Sequence, residues 1–166
     1  MPKRKVLVLN LGWEQEPLLR RLDARDDLEL YGIHYDESYS RIPRFRDLLL
    51  TDLRNLSRIM QFAEKIRPDA VISDQCDYSY FAQSLIAKRF GLPGPNMKPA
   101  FIATNKYLQR FFGEQLGGES AVRMPPYRQC FCLEDIYEFI DKNGFPVIVK
   151  PVDNRGSFGV NKVICE

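Results

Sequence analysis

Gly144-Phe145-Pro146-Val147-Ile148-Val149-Lys150-Pro151 leads into Asp153-Asn154-Arg155-Gly156-Ser157-Phe158-Gly159, and a second apolar run closes at Ile164. Proline has no backbone N–H, so Pro146 suits the first residue of a strand. Val147 and Val149 then face one way, Ile148 and Lys150 the other. Pro151 disfavours the helical region for the residue before it, so Lys150 is held extended and its ammonium is aimed. The turn that follows has Gly156 and Gly159 three apart with Ser157 between them. Glycines let successive N–H groups point into one concavity, and such nests hold anions. A lysine beside a nest is a point charge suited to polyphosphate. The plainer reading of the same residues is a charged strand end and an ordinary hairpin turn, because glycine turns are common.

Working towards the N-terminus, Leu133, Ile136, Tyr137 and Ile140 stripe a helix that Asn143-Gly144 stops. Ala121 to Tyr127 reads as extended. Thr104 can cap a helix carrying Tyr107, Leu108, Phe111 and Phe112, which Gly117-Gly118 ends. Gly91-Leu92-Pro93-Gly94-Pro95-Asn96 holds two prolines and two glycines in six residues, the strongest boundary in the chain.

Before that boundary, buried strands alternate with helices. Val6–Leu9, Leu28–Ile33 and Ala70–Ile72 lack polar alternation, as strands of a parallel sheet covered on both faces do. Between them lie Pro17 with Leu18, Leu19 and Leu22, and a helix from Asp52 carrying Leu53, Leu56, Met60 and Ala63 that ends at Arg67-Pro68. A last helix, capped by Asp77, carries Tyr78, Phe81, Ala82, Leu85 and Ile86 up to Gly91. The loop from His34 to about Arg46, with Tyr35, Tyr39, Arg41, Arg44, Phe45 and Arg46, is expected to fold over a sheet edge. The fold class predicted is α/β, a Rossmann-like parallel sheet followed by an α+β portion.

The 166 residues carry 24 Lys+Arg and 22 Asp+Glu, a net charge of +2, which lacks the basic excess of a nucleic-acid binder. No apolar run reaches the ~20 residues a membrane span needs. Four cysteines in a chain of this size make no disulfide framework, so the thiols are expected reduced and the protein cytoplasmic. No glycine-Lys-Ser/Thr run has Walker spacing, and the first strand leads to a lone Gly12 rather than three glycines.

The run Gly144 to Pro151, with its glycine loop and second strand, resembles the ATP-grasp superfamily, closest to its carbamoyl-phosphate synthase and biotin carboxylase branch. Gly94-Pro95-Asn96, a short helix and Thr104-Asn105-Lys106 resemble the lead-in to that family's nucleotide domain. The resemblance implies a Rossmann-like domain over 1–95 and the first part of an ATP-grasp domain over 96–166. It implies ATP as cofactor, with Lys150 on the α/β-phosphates and adenine side and Lys106 as the second phosphate-contacting lysine. Gly156, Ser157 and Gly159 would form the loop over the phosphates, though Arg155 and Phe158 make it less Gly/Ser-rich than many.

The family phosphorylates a carboxylate with ATP and passes the acylphosphate to an amine or other nucleophile. Its Mg²⁺ ligands and adenine hinge belong to a later half than these residues, so the 166 residues alone are not expected to turn over ATP. The partners implied are ATP and a small carboxylate, with neither nucleic acid nor membrane. A competing reading is a non-catalytic interaction or dimerisation module, a homo-oligomer included. A missing half would leave the Val147–Val149 strand face and the Phe111/Phe112 face short of cover.

Asp74 and Gln75 follow the third strand, at the carboxyl end of a parallel sheet where ligands sit. They are substrate-side candidates, with Asn10, Gly12 and Glu14 of the same standing; the plainer reading is a helix cap with solvated neighbours. His34, the sole histidine, reads as a strand-end surface residue. Cys130-Phe131-Cys132 lacks a second Cys/His pair for zinc and reads as apolar filler on one strand face.

Overall fold

Strands of four to seven residues, most of them apolar, build the sheet of the first half. The computed structural model describes residues 2–74, 76–116, 123–154 and 156–165. They divide into two compact units, Met1–Ala100 and Phe101–Glu166.

In the first unit, β1 (Arg4–Leu9), β2 (Leu28–His34), β3 (Asp47–Leu50) and β4 (Ala70–Ser73) form one sheet in the order β3-β2-β1-β4. All three pairings are parallel, with Leu7 opposite both Tyr31 and Val71. Side chains alternate along β1, which decides the layers. Leu7 and Leu9, with Tyr31 and Ile33, lie under α2 (Leu56–Ile66) and α3 (Asp77–Phe90) through Ile59, Phe62, Ala82 and Ile86. Val6 and Val8 face the other way, with Leu30, against Leu19 of α1 (Glu16–Asp23). Tyr39 and Phe45 pack on that second cluster, so the aromatic loop does fold over the sheet. Gly32 is required there: a Cβ on it would lie 2.7 Å from side-chain carbons of both Leu11 and Leu48.

The sequence reading needs several corrections in this unit. β3 lies between the loop expected up to about Arg46 and the helix expected from Asp52, where no element was expected; it is an edge strand whose residues are all only half-buried. Asn55, not Asp52, caps α2, its side chain accepting the Arg58 N–H. Asp52 instead accepts from Arg54 N–H at 2.8 Å and pairs with its guanidinium. Cys76 is the cap of α3, which begins at Asp77. His34 is fully buried. A buried imidazole needs a partner for its acceptor nitrogen, and the Leu11 N–H supplies one at 3.0 Å.

The boundary between the units falls inside α4 (Met97–Ala103), and the second unit holds its last three residues, then α5 (Lys106–Leu116), α6 (Leu133–Asn143), and an antiparallel pair of β5 (Val147–Val149) and β6 (Asn161–Val163). β5 is shorter than Pro146–Lys150 because prolines at 146 and 151 offer no N–H to extend the ladder. Asn105 Oδ1 accepts the Leu108 N–H at 3.0 Å, which gives it the capping role expected of Thr104. The Thr104 hydroxyl donates to the Phe101 carbonyl. The expected helix stop at Gly117-Gly118 and the start of the extended run at Ala121 lie outside the described residues.

The hydrophobic stripe of α6 is not buried: no residue of α5 or α6 is, and Leu133 is 64% and Tyr137 59% exposed. Val147 is buried while Ile148 is 54% exposed, so the bare strand face is that of Ile148 rather than of Val147 and Val149. Phe111 is 40% exposed. Cys130 and Cys132 are exposed, outside any strand, and not filler.

Candidate functional site

The chain leaves β1 outward through β2 to β3 and returns to place β4 on β1's other side, so the strand order reverses between β1 and β4. Ligands in open parallel sheets sit beyond the carboxyl ends of the strands at such a reversal. Asn10 takes a left-handed conformation there, φ 62°, which turns its amide across to β4. Asn10 Nδ2 and Gln15 Nε2 both donate to the Asp74 carbonyl, at 3.3 and 3.0 Å. A Cβ on Gly12 would meet Glu14 Oε2 at 2.6 Å, so a side chain there would push the end of that glutamate aside.

Beyond Asp74, the Ser73 and Ser79 hydroxyls are 2.6 Å apart and Ser79 also donates to the Cys76 carbonyl. An open depression of about 520 Å³ results, lined by Ser73, Asp74, Cys76, Asp77 and Tyr80. Its charged lining is acidic, so it suits a hydrogen-bond donor or a cation better than a carboxylate. Gln75 lies outside the described residues. Gln15 was not legible as a site residue: its side chain is buried through a contact 59 residues away.

The second unit brings together residues far apart in sequence. Lys106 is the first residue of α5; its backbone N–H donates to the Val152 carbonyl at 2.7 Å, and its ammonium donates to the Asn154 carbonyl. Both acceptors belong to the segment between β5 and β6. Within it Gly156, Ser157 and Gly159 have φ of 59°, 60° and 71°. Gly159 is required, because a Cβ would lie 2.9 Å from Pro151 Cγ. Asn154 Nδ2 reaches the Phe158 carbonyl and Val160 N–H the Ser157 carbonyl, bracing the turn from inside. Arg155 lies outside the described residues.

Lys150 is exposed at the entry to this turn and makes no ion pair among the described residues. Lys106, Lys150, Gly156, Ser157 and Gly159 therefore lie on one hairpin and the helix start tied to it. Beside them, Tyr127 donates to Glu114 at 2.7 Å, and that carboxylate pushes its phenol pKa up to about 12. Among the described residues no group of three or more His, Cys, Asp and Glu side chains is placed to hold a metal ion. No described helix is long and apolar enough to cross a membrane.

No family model matches the chain. The phosphoribosylamine–glycine ligase of Methanococcus vannielii is 26% identical over 165 residues, which are 96% of this chain and 37% of that protein. The enzyme of the same name from Pyrococcus furiosus is 29% identical over 168 residues, 96% of this chain and 36% of its own. The chain thus spans little more than a third of these relatives.

Among solved structures, N5-carboxyaminoimidazole synthetase from Staphylococcus aureus complexed with ADP superposes with a TM-score of 0.73 at 12% identity, over 100% of this chain and 43% of its own. The biotin carboxylase domain of Hydrogenobacter thermophilus 2-oxoglutarate carboxylase superposes at 0.70 and 19%, over 99% and 38%. The L-amino acid ligase of Bacillus licheniformis does so at 0.69 and 16%, over 99% and 40%. By sequence the chain is similar to phosphoribosylamine–glycine ligases over little more than a third of their length, and its fold is that of ATP-grasp enzymes.

Proposed function

We propose that the chain is the ATP-binding N-terminal part of a ligase that activates a carboxylate as its acylphosphate and hands it to an amine or other nucleophile. Residues 1–95 are then the Rossmann-like domain before the nucleotide domain, and 96–166 the first part of that domain. The observation that carries the reading is the double tie of Lys106 to the glycine hairpin, which sets one lysine against the turn that Lys150 enters. A phosphate arriving there would replace the Asn154 carbonyl as partner of the Lys106 ammonium, a charge-assisted contact for a neutral one. Gly156 and Gly159 leave the backbone free to close on it, and Ser157 adds a hydroxyl.

By name the curated relatives join phosphoribosylamine to glycine, an amine and a carboxylate, the pair of substrates this reading needs. The acidic depression at Asp74, with Gln75 beside it in sequence, suits the amine of such a pair. The biotin carboxylase neighbour supports placement near that branch. Phosphoryl transfer needs a metal ion to neutralise developing charge, and the described residues do not furnish its site. No turnover is therefore expected from these residues alone, whereas nucleotide binding is.

Calorimetric titration of the chain with ADP, AMP and adenosine tests this. ADP is expected to bind more tightly than AMP, and AMP than adenosine, with affinity falling as salt rises. Equal affinity for all three would reject phosphate recognition.

The exposed Phe131, Leu133, Tyr137, Ile148 and Ile164 favour a second reading, a module that associates with another copy or another chain. Light scattering separates it from the first: it requires a species heavier than one chain in the absence of nucleotide.

A further inference from the structure

His34 ends β2, and its side chain is 1% exposed. Nδ1 accepts the Leu11 N–H at 3.0 Å. An accepting Nδ1 carries no proton, so the neutral ring holds its hydrogen on Nε2. A proton added at Nδ1 would set N–H against N–H, and the bond would be lost rather than weakened. From the turn that Leu11 begins, Gln15 reaches the Asp74 carbonyl, and Asn10 before it takes the left-handed conformation that asparagine tolerates better than most residues.

Among the described residues, the charged and titratable groups facing the ring include Asp36, whose Oδ1 lies 4.0 Å from Nε2, and the Tyr35 and Tyr39 rings at 4.2 and 6.5 Å. Beyond Tyr39 lies the Arg41 guanidinium, 3.8 Å over that ring. β3 follows on the other side, and from its end Thr51 contributes only an N–H to the His34 carbonyl. Asp36 stays ionised, since the Ser38 hydroxyl and N–H hold its carboxyl below the usual range.

The Leu11 N–H at Nδ1 is compatible with the neutral ring alone, while the half-exposed Asp36 carboxylate, 4.0 Å from Nε2, favours the charged one. We propose that His34 is a pH-sensitive latch on the turn after β1, closed by the neutral ring and released in mild acid. Release frees Leu11 N–H and so takes one bond from the turn that fixes the Asp74 rim of the depression, which the Ser40 N–H to Leu11 carbonyl and Gln15 N–H to Gly12 carbonyl bonds still hold. The sign follows from linkage: the closed turn excludes the Nδ1 proton, so it loses stability as the pH falls and the ring takes that proton up.

The chain holds one histidine and one tryptophan, and Trp13, 78% exposed, sits in the turn itself. Imidazole ¹⁵N spectra of the whole chain between pH 8 and 5 read the ring; the Trp13 indole N–H resonance reads the turn; far-ultraviolet circular dichroism reads the fold. The expected result is the Nε2–H tautomer at pH 8, then a shift of the Trp13 resonance in step with ring protonation while the dichroism stays constant. His34→Asn keeps an oxygen acceptor near the Nδ1 position and does not titrate, so the Trp13 transition should vanish in it. An Nδ1–H tautomer at pH 8, a Trp13 signal indifferent to ring protonation, or a transition that survives in His34→Asn would overturn the proposal. So would dichroism collapsing together with the Trp13 shift. Should His34→Asn not fold, the tautomer and the coincidence of the two titrations in the unaltered chain decide the matter.

Discussion

Lys150→Ala is expected to weaken ADP binding by about 10- to 100-fold, the range that loss of a charged hydrogen-bonding contact to phosphate gives. The side chain is exposed and in no described ion pair, so the variant should fold and melt like the parent. That separation makes it informative: affinity should fall while stability does not. Lys142→Ala, an exposed lysine in the last turn of α6, is the matched control and should leave ADP affinity unchanged. Calorimetry on the three proteins at one salt concentration reads the difference. Equal affinity in Lys150→Ala and the parent would remove that residue from the site.

Leu9→Ala should cost about 2–5 kcal/mol of stability, as truncation of a fully buried leucine does. Leu9 is 0% exposed on a central strand, between β2 and β4 and under α2 and α3. Ile148→Ala, on a face that is 54% exposed, should change stability by less than about 0.5 kcal/mol. The contrast follows from where the core lies: the first unit carries two packed clusters, one on each side of its sheet, while in the second Val147 is the buried apolar residue that stands out. Urea unfolding followed by Trp13 fluorescence reads the first unit, and circular dichroism reads both. A large loss at Ile148 would mean that its face is packed in solution, against another copy or another chain.

β1, β2 and β4 were legible because strands covered on both faces are continuous apolar runs, and Val6–Leu9 is one. β3 was not: Asp47-Leu48-Leu49-Leu50 is an edge strand of four half-buried residues, and only its pairing with Tyr31–His34 distinguishes it from a helix entry. Helix caps shifted by one to three residues because neighbouring polar residues compete for the same orphan N–H groups. Asn55 took the role from Asp52 and Asn105 from Thr104.

His34 looked like a surface residue because its satisfaction depends on a backbone N–H 23 positions away, which no local pattern encodes. The same holds for Lys106 and Asn154, 48 apart: spacing alone gave two unrelated lysines, and the family resemblance paired them. The place of Lys150, exposed just past the end of β5 and before Pro151, was legible because prolines at 146 and 151 bound the strand.

Phosphate recognition by Lys106 and the Gly156–Gly159 turn is the claim on which the functional reading stands. Its most direct measurement is the map of backbone amide shifts as ADP is added to the ¹⁵N-labelled chain. The account requires the largest changes at Lys106, Gly156, Ser157 and Gly159, saturating together. Changes confined to the Asp74 edge of the first unit, with the hairpin amides unmoved, would contradict it.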